Sequence, residues 1–503
     1  MMFRRIFNRS GLAILLIVFV VSLGFGSKAI AVTQNQAKVI HVIERLSFGI
    51  TPGQIDQVSS QGIDKYIQSQ LSPTSVSRSL QLNKHLATSD FRNAKPLDLY
   101  KQFHEYNQEI RQLEKRNEAG SEGRLAQLKE KRNHFKSKLT RQAQEDHLMY
   151  AIASENQLQE VMVNFWFNHF NVLANKKFIP FWISDYENQI RKNSLGKFRD
   201  LLAATARHPA MLVYLDNQLN TAPKSPGAKR NSKGLNENYA RELMELHTLG
   251  VNGGYIQKDV RTLAKILTGW GVDPLSEDKA SNGFRFFPER HDLSDKVLLG
   301  QSIKGSGIDE VEQALDILAN HPSTASFISY KLAQYFVADE PPQSLVKKLT
   351  QKFTASDGDI KAVLASLFAS PEFLDPQYYD RKFKTPDHFL ISILRAIDVK
   401  SPNLRRVENM LNSLSMPTYG KGSPDGYPNT QDFWLNPDAL LRRIELVLGI
   451  GQGNLNNKQA VDLVQLEQTI GATLSENTRS KVAQNPAKLR PALILGSPEM
   501  MYR

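Results

Sequence analysis

Apolar residues recur at helical spacing along most of the chain. Between Gln36 and Leu46 they fall at Val39, Ile40, Val42, Ile43 and Leu46, on one side of a 3.6-residue helix. Gly62 opens another such stretch, carrying Ile63, Tyr66, Ile67 and Leu71. From Leu201 onward a loose phrase returns, in which small and apolar residues close on His-Pro or Ser-Pro, at 203–209, 315–322, 364–371 and 492–498. A residue before proline avoids the helical region and proline suits a first helical turn, so each phrase predicts one helix ending and the next beginning. Strand signals are sparse. Phe284 to Phe286 and Lys296 to Leu299 flank PERHDLSD and predict a β-hairpin. The predicted fold is mainly α: a compact multi-helix body, one small β-hairpin and a projecting helical-hairpin arm.

The arm is predicted by a change of composition over 97–158, where charges crowd out apolar residues and Ala119-Gly120-Ser121-Glu122-Gly123 interrupts the helix. It reads as a solvated helical pair with i,i+4 charge support, or as a surface for a partner or polymer. Between Met416 and Trp434 the chain is irregular, with Pro417, Gly420, Gly422, Pro424, Gly426 and Pro428. A loop this long in a folded body is often functional or a covering lid. The expected divisions are 1–31, a signal peptide; 34–96, an N-terminal helical segment; 97–158, the arm; 159–400, the central core with the candidate site; and 401–503, a C-terminal helical region holding the loop.

The densest chemistry lies in Asn236 to Gly254, NENYARELMELHTLGVNGG. At 100° per residue, Tyr239, Leu243 and Leu246 form a buried stripe, and Glu237, Arg241 and Glu245 form a salt-bridge ladder. Gly250 is the expected helix stop, and a second helix from Gln257 to Leu267 should pack against the first. Glu242 and His247 lie five residues apart and diverge by about 140°. This helix alone therefore cannot chelate a metal, and any metal needs ligands from other segments. In FWFNHF, Trp166, Asn168 and His169 sit among aromatics, where a histidine serves as ligand, base or core group. Glu187 and Arg191 fit an i,i+4 ion pair, His208-Pro209 a cap, and Asp216-Asn217 a turn. The catalytic candidates are His169, Glu242, Glu245 and His247. The candidates for a divalent metal are His169, Glu242, His247, His291 and Asp292.

The N-terminus changes the setting. Arg4, Arg5 and Arg9 precede an apolar run from Gly11 to Phe25, and Ala29-Ile30-Ala31 offers a cleavage site. The run falls short of the ~20 apolar residues a membrane span needs. A signal peptide is expected, with a mature protein that is exported, periplasmic or extracellular, and has no membrane span after cleavage. The chain has no cysteine, which excludes disulfides and thiolate chemistry. The formal charge is +12, and removing the four basic groups of residues 1–31 lowers it to +8. That excess favours an anionic polymer over nucleic acid outside the cytoplasm. The sequence has no Gly-x-Ser-x-Gly elbow, P-loop, Rossmann fingerprint or EF-hand loop, which speaks against a common serine hydrolase or nucleotide enzyme.

Several phrases together carry a resemblance. HVIERLSFGITPGQI, FWFNHF, FRDLLAATARHPAMLVYLDN, LNENYARELMELHTLGVNGGY, LTGW, HPSTASFISYKLAQYFV and SDGDI follow one another from about His41 to Met500. The chain resembles the large bacterial exported family catalogued as domain of unknown function number 1800. The resemblance implies no activity. It implies a partner, since members are often encoded beside a secreted sulfatase-like or phosphatase-like protein. Where members commonly carry threonine this chain has Ile256, so the following helix loses a side-chain cap. Two functions stand side by side. One is an exported enzyme with a polar His/Glu pocket, in the metal-dependent hydrolase class. The other is a non-catalytic envelope protein that binds an anionic polymer or the sulfatase-like partner. An accessible cleft that gathers the polar groups distinguishes the first.

Overall fold

Charge-rich sequence and sparse apolar residues produce the longest helices. In the computed structural model, which describes residues 34–73, 79–116, 121–228, 234–278, 280–455 and 460–503, α1 (Pro96–Arg116) and α2 (Glu122–Ala153) form an antiparallel pair. The expected signal peptide, 1–31, lies outside the described residues. The base of the pair packs into the main core through Tyr100, Phe103, Phe135 and Leu139. Its distal half has a small apolar cluster of its own, Ile110, Leu113 and Leu128. There the ion pairs Arg124–Glu109 (2.9 Å) and Lys129–Glu114 (2.8 Å) join the two helices across solvent-exposed surface.

Helix α3 (Gln157–His169) is apolar on nearly every face and accordingly runs through the interior. Trp166 is fully buried and its indole N–H donates to the Ser194 carbonyl at 3.0 Å, which fixes the rotation of the helix. Alongside runs α4 (Ile183–Asn193). Helix α5 (Glu237–Glu245) is capped by the Asn236 side chain and buries Tyr239, Leu243 and Met244. The salt-bridge ladder forms, with Arg241 3.8 Å from Glu237 and 3.5 Å from Glu245. The helix stops before the expected glycine: His247 and Leu249 bond back to Glu242 and Met244, five residues away, in a widened last turn. Gly250 then takes φ 81°. Helix α6 (Gln257–Ile266) packs against α5. Ile256 supplies no side-chain cap, and only Asp259 answers, its carboxylate accepting the Ile256 N–H at 3.0 Å.

The predicted hairpin is corrected. Strand β1 (Trp270–Val272) pairs with β2 (Phe284–Phe286), and β3 (Lys296–Leu298) with β4 (Gln301–Ile303), both antiparallel. The intervening 287–295 turns inward because His291 and Asp292 bond to Thr268. Leu299 and Gly300, at φ 49° and 80°, make the tight turn that returns β3 onto β4. Helices α7 (Pro322–Phe336) and α8 (Pro386–Ala396) complete the frame around the site. Two of the His-Pro phrases are caps in fact: His208 Nδ1 accepts the Ala210 N–H at 3.2 Å and His321 Nδ1 accepts the Ser323 N–H at 3.1 Å. A continuous apolar core reaches from Val39 to Met501. Among the described residues no helix is long and apolar enough to cross a membrane.

Candidate functional site

The irregular 416–430 segment lies over the end of α3, and two asparagines hold it there. Asn168 Nδ2 donates to the Tyr427 carbonyl at 2.8 Å, while its Oδ1 accepts the Tyr427 N–H at 2.7 Å. Asn171 Nδ2 donates to the carbonyls of Lys421 (3.1 Å) and Ser423 (2.7 Å). The Tyr214 hydroxyl donates to the Gly422 carbonyl at 2.8 Å. Gly426 has φ 74°, and a Cβ there would sit 2.2 Å from the Asn168 carbonyl oxygen. Only glycine lets the loop come this close. Beneath it lies a cavity of about 240 Å³, walled by α2, α3, α7, α8 and the loop itself.

Two ionisable pairs face this cavity. In the first, Lys331 of α7 donates through Nζ to His169 Nδ1 at 2.9 Å. His169 Nε2 lies 3.1 Å from the His247 carbonyl, so the ring proton is on Nε2 and Nδ1 offers its lone pair. Burial and the charge of Lys331 hold His169 well below the usual imidazole range. Among the described residues no carboxylate pairs with Lys331, whose ammonium rests 5.4 Å from the centre of the Phe327 ring. Burial lowers the lysine to about 8, with Asp425 of the loop opposing the shift. Lys331 is partly accessible, and it opens onto the cavity, which reconciles that access with its depth.

In the second pair, His147 Nδ1 lies 2.9 Å from Glu187 Oε1. Glu187 is also 2.7 Å from Arg191 and accepts the Tyr419 hydroxyl. Arg191 in turn reaches Glu160 at 3.1 Å. Burial alone would raise Glu187, but the charges of Arg191 and His147 overcome it and hold the carboxyl at about 2. Burial would lower His147, and Glu187 outweighs it, so the imidazole is raised. With Nδ1 engaged, Nε2 is the nitrogen His147 has left for a ligand. Nearby, Asp387 accepts from Asn164 Nδ2 (2.8 Å), the His388 N–H (2.7 Å) and the Thr385 hydroxyl. The Tyr335 hydroxyl, also on the wall, is buried near Arg503 and Asn164.

The sequence candidates separate into three groups. His169 lines the cavity; His247 stands behind it, buried, its carbonyl setting the tautomer of His169 and its own imidazole pushed down to about 3 by burial and Lys331. Glu242 and Glu245 are half-buried on α5 and do not line the cavity. Burial and the neighbouring Glu245 raise Glu242. His291 and Asp292 lie in a different network: His291 donates to the Thr268 carbonyl at 2.7 Å and meets Glu310 at 2.9 Å, and Lys296 meets Glu310 at 2.6 Å and Asp292 at 3.7 Å. The five metal candidates thus form no single centre, because Lys296 already supplies the positive charge to one group and the others point to different partners. Among the described residues no three His, Asp or Glu side chains come together to hold a metal ion.

Sequence reasoning missed Lys331, His147, Tyr335 and Asn171. Lys331 did carry a signal, a lone cation inside the otherwise uncharged helix PSTASFISYKLAQYF. The chain belongs to the family described as protein of unknown function (DUF1800), whose model matches residues 41–502. No curated protein and no solved structure matches it.

Proposed function

We propose that this member of the family is an exported enzyme that takes a small acidic molecule into the cavity under 416–430 and moves protons on it. One observation carries the reading: a lysine with no carboxylate partner among the described residues and a histidine oriented by a carboxylate line one cavity. An unpaired buried ammonium has lost its hydration, and an anionic ligand restores the missing interaction. Lys331 is the anchor for that charge. His147 is the acid–base group, since Glu187 holds its Nδ1 proton and leaves Nε2 to exchange one with the substrate. His169 positions Lys331. In a hydrolytic turnover the proton His147 takes comes from the attacking water. The reading places no step on a metal.

Ligand-induced stabilisation tests it. Small carboxylates, phosphate and sulfate are added singly to the mature protein. At a hundredfold excess over its dissociation constant, a true ligand raises Tm by about 2–3 °C for a chain of this size. Lys331→Met should abolish the shift and His147→Gln should keep it. If no anion stabilises the protein, or if Lys331→Met responds as fully as the wild type, the reading fails.

A further inference from the structure

We propose that Lys331 is a covalent site: its amine condenses with the carbonyl carbon of a small acidic aldehyde or 2-oxo acid to give an imine in the cavity. The inference rests on the reading above and names its substrate class. Lys296, Lys382 and Lys384 are all buried, and each has a carboxylate: Glu310 at 2.6 Å, Asp339, and Glu44 at 2.9 Å. In each of them the ammonium faces a carboxylate charge. Lys331 has an imidazole nitrogen instead, and the His247 carbonyl fixes that nitrogen as a neutral acceptor. A neutral acceptor orients an amine without holding its extra proton, so Lys331 releases that proton at an ordinary pH. Burial lowers Lys331 and Lys382 alike to about 8, so what sets Lys331 apart is the neutral imidazole at its amine. The Phe327 ring covers one side of the amine, and the cavity is open on another.

The chemistry balances with what the site contains. Lys331 ammonium gives one proton to solvent. The free amine attacks the carbonyl carbon, forming a C–N bond as the C=O pair moves to oxygen and a proton passes from nitrogen to that oxygen; the carbinolamine hydroxyl then takes a proton back from solvent and leaves as water, giving the protonated imine. That cation draws electrons from the neighbouring carbon. His147 Nε2 removes a proton there and can return one, with Glu187 keeping the ring in register. Water released in the first step hydrolyses the imine in the last, so no external oxidant or reductant enters.

Reductive trapping tests the covalent site. The mature protein is incubated at pH 8 with glyoxylate and cyanoborohydride, which converts an imine to a stable carboxymethyl-amine, and each lysine is followed by peptide mass spectrometry. Lys331 should be labelled at least tenfold faster than any other lysine, with a rate that rises through pH 8. The His147→Gln variant should be labelled as fast. Labelling of Lys331 no faster than surface lysines overturns the inference. In a second arm, pyruvate in deuterium oxide reports proton transfer by loss of its methyl signal. Exchange lost in His147→Gln with labelling intact supports both steps. Equal exchange in that variant, with Lys331 still labelled, overturns the acid–base reading and leaves the covalent site standing.

Discussion

An ammonium set against a phenyl ring and a neutral imidazole weakens the fold, because neither partner restores the hydration it has lost. Below about 8 Lys331 is charged in both folded and unfolded chains and the full penalty applies; above 10.5 it is neutral in both and the penalty vanishes. Lys331→Met should therefore stabilise the protein at pH 7 by about 2 kcal/mol, a figure already reduced for the access the cavity gives to water. Urea unfolding at pH 7 and at pH 10.5 measures this, and the gain should be smaller at the higher pH. Glu187 works in the opposite sense. Its carboxyl is held at about 2 against an ordinary 4.5, so its stabilisation is present above 4.5 and is lost as pH falls toward 2. Glu187→Gln leaves Arg191 and His147 short of a partner and should cost about 3 kcal/mol at neutral pH, less below pH 4. Equal urea midpoints for variant and wild type at pH 7 would contradict this. His169 was legible from its aromatic surroundings, and Glu187–Arg191 from its spacing. Lys331 and His147 were not, because a helical lysine or a histidine in a charged run reads as solvated until distant segments enclose it.

Proline and glycine density revealed the 416–430 loop as an element, but not what holds it. That depends on Asn168 and Asn171, whose amides substitute for strand neighbours to a segment more than 240 residues away. Removing the Asn168 amide leaves both polar groups of the Tyr427 backbone unpaired, at about 1–3 kcal/mol. In Asn168→Ala the amides of 416–430 should exchange with deuterium faster while the body remains protected; unchanged protection would show that the loop is held by other means. The arm makes the contrary case. Its charge pattern predicted the helical pair, and among the described residues its distal half buries three apolar residues, Ile110, Leu113 and Leu128, and has exposed ion pairs, which contribute little. Replacing 107–132 by a short Gly-Ser turn should leave the urea stability of the body within about 1 kcal/mol. A larger loss would mean the arm braces the core. Strand pairing was the least legible feature. Three-residue strands have too little alternation to fix a partner, and the inward pull of His291 decided the outcome.

The mainly helical body followed from apolar spacing, whereas the number of histidines it encloses became visible only in three dimensions. His41, His169, His247 and His388 are buried, and burial is the first cause in each case that holds them below the usual imidazole range. They remain neutral in the folded chain as pH falls past 6.5, whereas the same four residues gain protons when unfolded. Proton uptake by the unfolded state lowers stability by roughly 1.4 kcal/mol per pH unit for each group. His147 does not offset this: raised by Glu187, it is charged in both states below 6.5, and its contribution disappears only as pH rises. The four together predict a loss on the order of 5 kcal/mol per pH unit between about pH 6 and 5, before the carboxylates begin to titrate. Urea midpoints taken across pH 8 to 5 should be nearly flat at the upper end and then fall steeply. His247→Phe, which removes one uncompensated proton site and leaves the His247 backbone carbonyl in place for His169, should make that fall shallower by about a quarter. A midpoint unchanged between pH 7 and 5 would mean that these imidazoles take up protons without leaving the core, and Lys331 would then face a charged His169 and lose the neutral acceptor on which its role depends.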